Sequence, residues 1–312
     1  MTPQKRLSRL LIYAILVAAA AFYLLPIYLL LATSLKSYAE VNLSTMWLLP
    51  QGFHLDSFLQ AWYGDPAKGT QGLSSNFMNS VKLAIPATII SAMLGSLNGY
   101  VLSKWRFRGA NIVFPAILFG MFIPYQSILI PLVQTMQSWG VVMRPFLANV
   151  ATWPAFLGPL QWLLLTYTPA YGTIGGLVLV HVIYGIPITT LIFRNYYAEI
   201  PNELIEAGKI DGADFGTIYR HILFPLSLPA FVVVIIWQFQ SVWNEFLFAT
   251  VVTNKAEVQP ITVALNNLAG SFIVEWNVQM AGALMAALPT LLIFIILGRY
   301  FMRGLLAGSL KG

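Results

Sequence analysis

Polar and aromatic side chains recur at helical spacing within one apolar stretch, WQFQSVWNEFLFA, and they are the first candidates for chemistry. Five positions follow the i, i+3, i+4, i+7, i+11 pattern of a single helix face: Trp237, Gln240, Ser241, Asn244 and Phe248. Aromatic rings stack on apolar C–H faces and amides hydrogen-bond to hydroxyl groups, so this face suits a sugar. The same groups would equally serve to join helices in a membrane bundle, and the pattern leaves both interpretations open.

Glu245 is the one acidic residue that falls well inside a stretch predicted to cross a membrane. A carboxylate in that position is costly unless it is paired or functional, and we favour a contact between helices for it. His181 and Asn195 are weaker polar candidates in another apolar stretch. The candidate substrate path consists of Trp237, Gln240, Asn244, Gln126 and Tyr184.

Several kinds of catalytic site are missing from the sequence. There is no GxxxxGK[ST] motif, so a P-loop for ATP is excluded. The three histidines, at positions 54, 181 and 221, have no metal-ligand spacing, and cysteine is absent. We therefore expect no metal, no cofactor, and no enzymatic activity in this chain.

The composition predicts an all-α membrane protein. The 312 residues are 58% hydrophobic and 9% charged, against about 25% charged residues in soluble domains. Since a span needs about 20 apolar residues, we place six, with the first retained rather than cleaved as a signal peptide. The predicted spans are about 9–33, 80–102, 111–136, 174–196, 226–250 and 279–301.

Basic residues predict the orientation of these spans. Twelve of the 17 lysines and arginines lie near the N-terminus, after spans two and four, or near the C-terminus. Because such residues gather on the cytoplasmic side, we expect both termini and the loop at 200–225 to be cytoplasmic. The loops at 34–79 and 251–277 then lie outside. The net charge of +6 is explained in the same way, and we expect no nucleic-acid partner.

Two further segments have unusual composition. The outer loop carries Trp47, Phe53, Phe58, Trp62 and Tyr63, which we interpret as an interfacial aromatic belt rather than a docking face. The segment 138–172 is apolar but contains four prolines, which favours an interfacial or re-entrant helix over a seventh span.

The stretch Ile200–Pro229 is both charged and helix-patterned. Pro201 suits the first position of a helix, and Gly212 predicts a bend between two short helices. In the second piece an apolar stripe follows the i, i+3, i+4, i+7 pattern: Phe215, Ile218, Tyr219 and Ile222. The simplest interpretation is an amphipathic helix on the membrane surface.

The same stretch resembles the EAA loop of the membrane subunits of bacterial ABC importers, whose pattern is E-A-A-x3-G-x9-I-x-L-P. Here Glu206 and Ala207 are followed by Gly208 in place of the second alanine, and Phe224 replaces the leucine. In that family the loop is a coupling helix that docks into an ATPase subunit. The resemblance implies this role for Glu206, Ala207, Gly208, Asp211, Gly212, Ala213, Phe215, Ile218, Tyr219 and Ile222.

KWRFRG at 104–109, WNEFLFA at 243–249 and RYFMRGLLAGSLKG at 299–312 are similar to carbohydrate-importer permeases of the maltose and glucose type. The resemblance implies the type I permease fold, with one membrane domain over 1–312 whose core is about 80–301. It also implies a tail (302–312) that reaches the ATPase and, at Asn266, Asn267 and Gly270, contact with a binding protein. Family members usually have a short loop where this chain has 138–172, so we interpret that segment as an insertion.

The resemblance implies four kinds of partner: a second homologous permease, two ATP-binding subunits, an extracytoplasmic sugar-binding protein, and the lipid of the inner membrane. An ion-coupled secondary transporter is the alternative, but it predicts inverted repeats and an acid–base relay that the sequence does not show. A membrane enzyme would need a polar catalytic cluster, and none is evident. The substrate is expected to be a mono- or oligosaccharide, with a lean towards glucose or mannose.

Overall fold

The computed structural model describes residues 3–105, 107–269 and 274–309, and most of them are helical. The helices are α1 (Pro3–Ser34), α2 (Asp56–Tyr63), α3 (Ser74–Lys104), α4 (Ala110–Phe119), α5 (Tyr125–Ala151), α6 (Gly158–Thr166), α7 (Ile174–Glu199), α8 (Asn202–Ile210), α9 (Phe215–Ile218), α10 (Phe224–Leu226), α11 (Leu228–Trp243), α12 (Leu247–Val252), α13 (Ile261–Leu268) and α14 (Trp276–Ser309). A short antiparallel hairpin, β1 (Gly64–Asp65) with β2 (Thr70–Gln71), follows α2. The predicted helical fold class is confirmed.

Four of these helices are long and apolar enough to cross a membrane, and two bent pairs qualify when each is taken together. The four are Ser8–Ser34, Ser74–Lys104, Ile174–Glu199 and Trp276–Tyr300. The pairs are Ala110–Phe122 with Tyr125–Ala151, bent by 98°, and Phe215–Leu226 with Leu228–Trp243, bent by 75°. Counting each pair once gives the six spans predicted, but the third span is broken, and the bend of the second pair separates Phe215–Leu226 from the start of the fifth predicted span (226–250).

Prolines account for both breaks. Ile123 precedes Pro124 and has an extended backbone (φ −75°, ψ 117°), as the steric demand of the proline ring favours. In the fifth span Pro225 and Pro229 surround the turn at Ser227, because proline has no N–H to continue the helical ladder. This span also ends early, at Trp243, and resumes as the separate helix α12.

The segment 138–172 is more helical than its prolines suggest. Helix α5 continues to Ala151 with Pro131 and Pro145 inside it, and α6 follows at Gly158–Thr166. Only Pro154 lies in the break between the two helices. Proline is tolerated within apolar helices where neighbouring groups or local adjustments satisfy the freed backbone carbonyl.

The chain divides into two compact units, Met1–Ser75 with Ala264–Leu288, and Asn76–Val263 with Pro289–Gly312. In the first unit α2 packs on the start of α14 through a buried cluster of Ala61, Val278 and Ala281. Phe58 packs against this cluster and is therefore not a freely exposed member of the predicted aromatic belt.

A buried lysine holds the outer loop of the first unit together. Lys36 is 2% exposed, and its Nζ donates to the carbonyl oxygens of Thr45 (2.8 Å) and Met46 (3.3 Å). Trp47 and Phe53 remain exposed on the same loop. Their assignment to an interfacial belt stays a prediction.

In the second unit α3 and α7 approach closely because glycines face α7. A Cβ on Gly95 would lie 2.3 Å from Thr189 Oγ1, and one on Gly99 would lie 2.7 Å from the backbone N of Arg194. This is the small-xxx-small geometry by which membrane helices bring their backbones together.

Candidate coupling site and substrate path

The segment at 200–226, here called the coupling segment, is built from short helices joined at Gly212. Helix α8 ends at Ile210, and Gly212 has φ +81°, a left-handed conformation that favours glycine. Asp214 then caps α9 by accepting the N–H of Thr217 (2.8 Å). The two predicted helices and the bend are confirmed, although Pro201 occupies the N-cap and Asn202 the first helical position.

Hydrogen bonds from Thr217 lower the pKa of Asp214, the side-chain bond having the larger effect. The carboxylate is exposed and therefore stays ionised near neutral pH, beside the start of α9. A negative charge at this end of a helix is favourable.

A stack of aromatic rings anchors the coupling segment to α3. Tyr100 is fully buried, and its ring stacks on Phe215 (4.6 Å between centroids) and on Tyr219 (5.9 Å). Trp105 meets Phe215 edge-on at 5.1 Å, and Lys209 lies over the Trp105 ring at 5.3 Å. Aromatic pairs in these geometries are worth about 0.5–1.5 kcal/mol each beyond the burial of their area.

A chain of hydroxyl groups adds a second link to α7 and α11. Ser96 Oγ lies 2.6 Å from the Tyr197 hydroxyl and 2.9 Å from that of Tyr219. Tyr197 in turn donates to Ser227 Oγ at 3.0 Å. Because all four groups have partners, the network joins α3, α7 and the bend before α11 without an unsatisfied hydroxyl.

The start of the segment is tied as well. Lys104 Nζ donates to the carbonyl of Ile200 (2.5 Å) and to Asn202 Oδ1 (2.8 Å). The coupling segment is thus bonded to α3 at its beginning and stacked on α3 at its middle.

The predicted apolar stripe faces the chain's own helices. Ile218 is fully buried, and Phe215, Tyr219 and Ile222 pack partly buried against the same core. Among the other predicted residues Gly208 is buried and Ala213 is half-buried. A Cβ on Gly208 would lie 2.9 Å from Ile222 Cδ1, so the alanine of the motif would fit here after a small movement of the Ile222 side chain.

The surface left open for a partner is a different set of residues. Glu206, Ala207, Asp211 and Gly212 are exposed, as predicted for a docking surface. Ile210 belongs to this surface too, although it was not predicted: it is 86% exposed and lies at the end of α8. The sequence does carry a signal for this exposure, because Ile210 is an isolated apolar residue between the charged residues Lys209 and Asp211.

Four of the five residues on the predicted face of α11 do share an exposed side: Trp237, Gln240, Ser241 and Asn244. The fifth, Phe248, is buried, because α11 ends at Trp243 and the helical register is lost before α12. Gln126 is exposed at the start of α5, while Asn195 is exposed on α7.

Phe248 joins an aromatic group with Tyr184 that the sequence did not predict. The Phe248 ring lies 5.0 Å from Tyr184, 5.5 Å from Tyr125 and 5.9 Å from His181. The structure thus brings Tyr184 next to Tyr125, the residue that precedes Gln126.

Glu245 serves the local structure. Its carboxylate accepts the N–H groups of Phe248 (2.6 Å) and Ala249 (3.1 Å) at the start of α12. The second oxygen lies 3.6 Å from His181 Nε2 on α7. This approach is longer than a hydrogen bond, but it agrees with the expected contact between helices.

Gln238, which the sequence analysis passed over, joins three helices. Its Nε2 donates to Ser91 Oγ (3.3 Å) and to the His181 carbonyl (3.2 Å). Its terminal amide occupies the space left by Gly185, where a Cβ would lie 2.3 Å from Gln238 Nε2. The two hydrogen bonds of Gln238 hold its side of α11 towards α3 and α7. Gln240 therefore lies on the other, exposed side of the helix.

The predicted binding-protein contacts are only partly described. Asn266 and Asn267 are exposed near the end of α13. Gly270 lies outside the described residues, as do residues 310–312 of the tail.

These features define a polytopic helical membrane protein with a partly exposed helical segment that is anchored to α3 and α7. The model for the inner membrane component of binding-protein-dependent transport systems matches residues 84–305. The chain belongs to this family, whose members work with ATP-binding and substrate-binding partners. Membership favours a permease subunit over a secondary transporter.

Individual relatives agree over nearly the whole chain. A probable ABC transporter permease of Pyrococcus horikoshii is 44% identical, with 98% of each chain covered. A xylose/arabinose import permease of Haloferax volcanii is 36% identical, with 96% of this chain and 92% of the relative covered. The crystal structure of a bacterial ABC transporter involved in alginate import has the same fold at 19% identity, with a TM-score of 0.74 and coverage of 96% of this chain and 99% of the other.

Proposed function

We propose that this chain is a membrane-spanning subunit of an ATP-driven carbohydrate importer and that the coupling segment transmits the movement of the ATPase. The observation that carries this proposal is the anchoring of the segment by Tyr100 and Ser96. A docking helix transmits force only if it moves together with the spans behind it. The stack and the hydroxyl network supply that connection.

In this proposal the exposed and the buried EAA residues have different roles. Glu206, Ala207 and Asp211 contact the ATPase, together with Ile210. The buried Ile218 and Gly208, by contrast, do not touch the partner. Ile218 fixes the segment against the core that contains Tyr100 and Tyr197, Gly208 lets α8 pack against Ile222 within the segment, and Gly212 sets the angle between the two pieces.

The substrate class rests on relatives and on the chemistry of α11. The relative in Haloferax is named for xylose and arabinose import, which supports a mono- or oligosaccharide. Trp237, Gln240 and Asn244 offer a ring and two amides on one exposed side, as a sugar path requires. The lean towards glucose or mannose remains a finer proposal within this class.

We infer the assembly from the family pattern. Half of the path comes from this chain and half from a second homologous permease, with two ATP-binding subunits at the coupling segments. Both termini lie in the cytoplasm, and an extracytoplasmic sugar-binding protein docks near Asn266 and Asn267.

Single-cysteine cross-linking tests the coupling role, because the chain contains no cysteine. Ile210→Cys, at an 86% exposed position, should cross-link under mild oxidation to a cysteine in the docking cleft of the co-expressed ATPase, with a yield that changes on ATP binding. Ile205→Cys on the same helix is the matched control, since that side chain is 4% exposed and should not react. Absence of an Ile210 cross-link in an assembled complex contradicts the coupling role, and labelling of Ile210→Cys from outside the cell contradicts the topology.

A further inference from the structure

An apolar crevice of about 640 Å³ opens between α3, α6 and α7. Its walls are the side chains of Ile85, Ile89 and Ile90 from α3, Leu163 from α6, and Val178 and Val182 from α7. The volume lies within the range of about 300–1,000 Å³ that small-molecule sites occupy. Tyr167 brings the one polar side chain of the lining, and its hydroxyl is already bonded to the Lys82 carbonyl, so the crevice suits a hydrocarbon chain rather than a sugar.

A polar recess of about 250 Å³ uses the same three parts of the chain. Asn79 and Lys82 of α3, Thr166 at the end of α6, and Thr173 before α7 line it, and Glu257 comes from the loop before α13. The recess therefore contains one cation and one carboxylate.

The polar recess and the apolar crevice follow one another along one side of α3. Lys82 and the crevice residues Ile85 and Ile89 are spaced at i, i+3 and i+7, which is one helix face. From Lys82 to Ile90 the helix rises by about 12 Å. Tyr167, which lines the crevice, donates its hydroxyl to the Lys82 carbonyl at 3.1 Å and so fixes α6 at the junction.

The residues at the junction are those found where a membrane meets water. Trp162 is half exposed, and the Lys82 ammonium lies 5.7 Å from the centroid of its ring. Tryptophan and tyrosine prefer the interfacial depth of a bilayer, where lipid headgroups lie. A ligand that fills both spaces has an apolar chain, a phosphate and an ammonium group.

We propose that this composite cavity binds a zwitterionic aminophospholipid of the phosphatidylethanolamine type. One acyl chain occupies the crevice between Ile89 and Val178. The phosphate contacts Lys82, and the headgroup ammonium contacts Glu257. The segment that carries α6 thereby becomes part of a lipid site.

Native mass spectrometry of the assembled transporter, stripped of lipid in detergent, tests this site. Dioleoyl-phosphatidylethanolamine, dioleoyl-phosphatidylglycerol and dioleoylglycerol are the probes. We expect the parent complex to retain phosphatidylethanolamine at least fivefold better than the other two. Ile89→Trp, which fills the crevice, should remove one tightly bound lipid, while Leu292→Trp, at an exposed apolar position of α14 outside the crevice, should remove none.

The charged groups give an independent readout. Lys82→Gln should abolish the preference for phosphatidylethanolamine over dioleoylglycerol, while Lys255→Gln, an exposed lysine outside the recess, should leave it unchanged. Glu257→Gln should shift the preference towards phosphatidylglycerol, because the headgroup ammonium loses its partner while the phosphate keeps its own.

Two results overturn the proposal. One is equal lipid retention by Ile89→Trp and Leu292→Trp. The other is a parent complex that prefers phosphatidylglycerol. If Ile89→Trp fails to assemble, Ile89→Cys replaces it: its alkylation by a membrane-soluble maleimide should slow at least fivefold when phosphatidylethanolamine is added. An alkylation rate that does not change when this lipid is added contradicts the lipid assignment.

Discussion

Truncation of Tyr100 should separate the coupling segment from the spans. The side chain is fully buried and contacts Phe215 and Tyr219 through its ring faces. Replacing a buried aromatic residue by alanine costs about 3–5 kcal/mol through lost transfer energy and the cavity that remains. Every 1.4 kcal/mol is about a factor of ten in an equilibrium constant. The open state, in which the coupling segment has come away from α3, should therefore become roughly 10²- to 10⁴-fold more populated.

Tyr100→Phe is the matched control. The Tyr100 hydroxyl is buried and has no hydrogen-bond partner among the residues that the structure describes. Removing an unsatisfied buried hydroxyl while keeping the ring should leave stability unchanged or slightly improved. The pair of variants therefore separates the ring from its polar group.

The assay uses the buried position Ile205 of the cysteine-free chain. Ile205→Cys, 4% exposed, should be alkylated only when the segment opens. Its rate should rise with Tyr100→Ala and not with Tyr100→Phe, and the ATP hydrolysed per sugar imported should rise in parallel. If Tyr100→Ala changes neither the alkylation rate nor the ATP hydrolysed per sugar imported, the aromatic stack does not hold the segment in place.

Three further variants test other parts of the structure. Gly212→Ala should destabilise the coupling segment by about 1–2 kcal/mol, because a side chain is strained at φ +81°, and faster Ile205→Cys alkylation would reveal it. Gly99→Leu should prevent α3 from approaching Arg194 and abolish assembly in size-exclusion chromatography, whereas an unchanged profile would show that the contact is dispensable. Lys36→Met should leave the Thr45 carbonyl without its donor at a cost of about 1–3 kcal/mol, seen as faster proteolysis of the outer loop, and unchanged proteolysis would contradict the role of that lysine.

The sequence predicted the coupling segment in detail because its signals are local. Gly212 lies between two helix-patterned pieces and can adopt the left-handed conformation that ends the first, and the spacing of Phe215 and Ile218 is a property of one helix. The direction of the apolar stripe is not local. That direction depends on which other helix offers a complementary surface. Here the surface is provided by Tyr100 on α3, more than a hundred residues away.

The bends of the third and fifth spans were not predicted, although the prolines that cause them are local features. Pro124 and Pro225 were visible in the sequence, but hydropathy is summed over a window and does not register a bend. The burial of Gln238 depends on the gap at Gly185, which only the packing of α7 against α11 creates. The close approach at Gly95 and Gly99 did have a signal, since G-x-x-x-G in an apolar helix marks a contact face.

Helix α1 has a consequence for how the chain tolerates change. No residue in the most apolar window of Ser8–Ser34 is buried within its own chain. Selection on those side chains through the stability of this subunit is therefore nearly absent, and only their surroundings outside the chain constrain them. A mutational scan of α1 would show what surrounds it. If transport tolerates every exchange of one apolar residue for another, α1 faces lipid. If sensitive positions recur every three to four residues, they mark the side of α1 that contacts another protein.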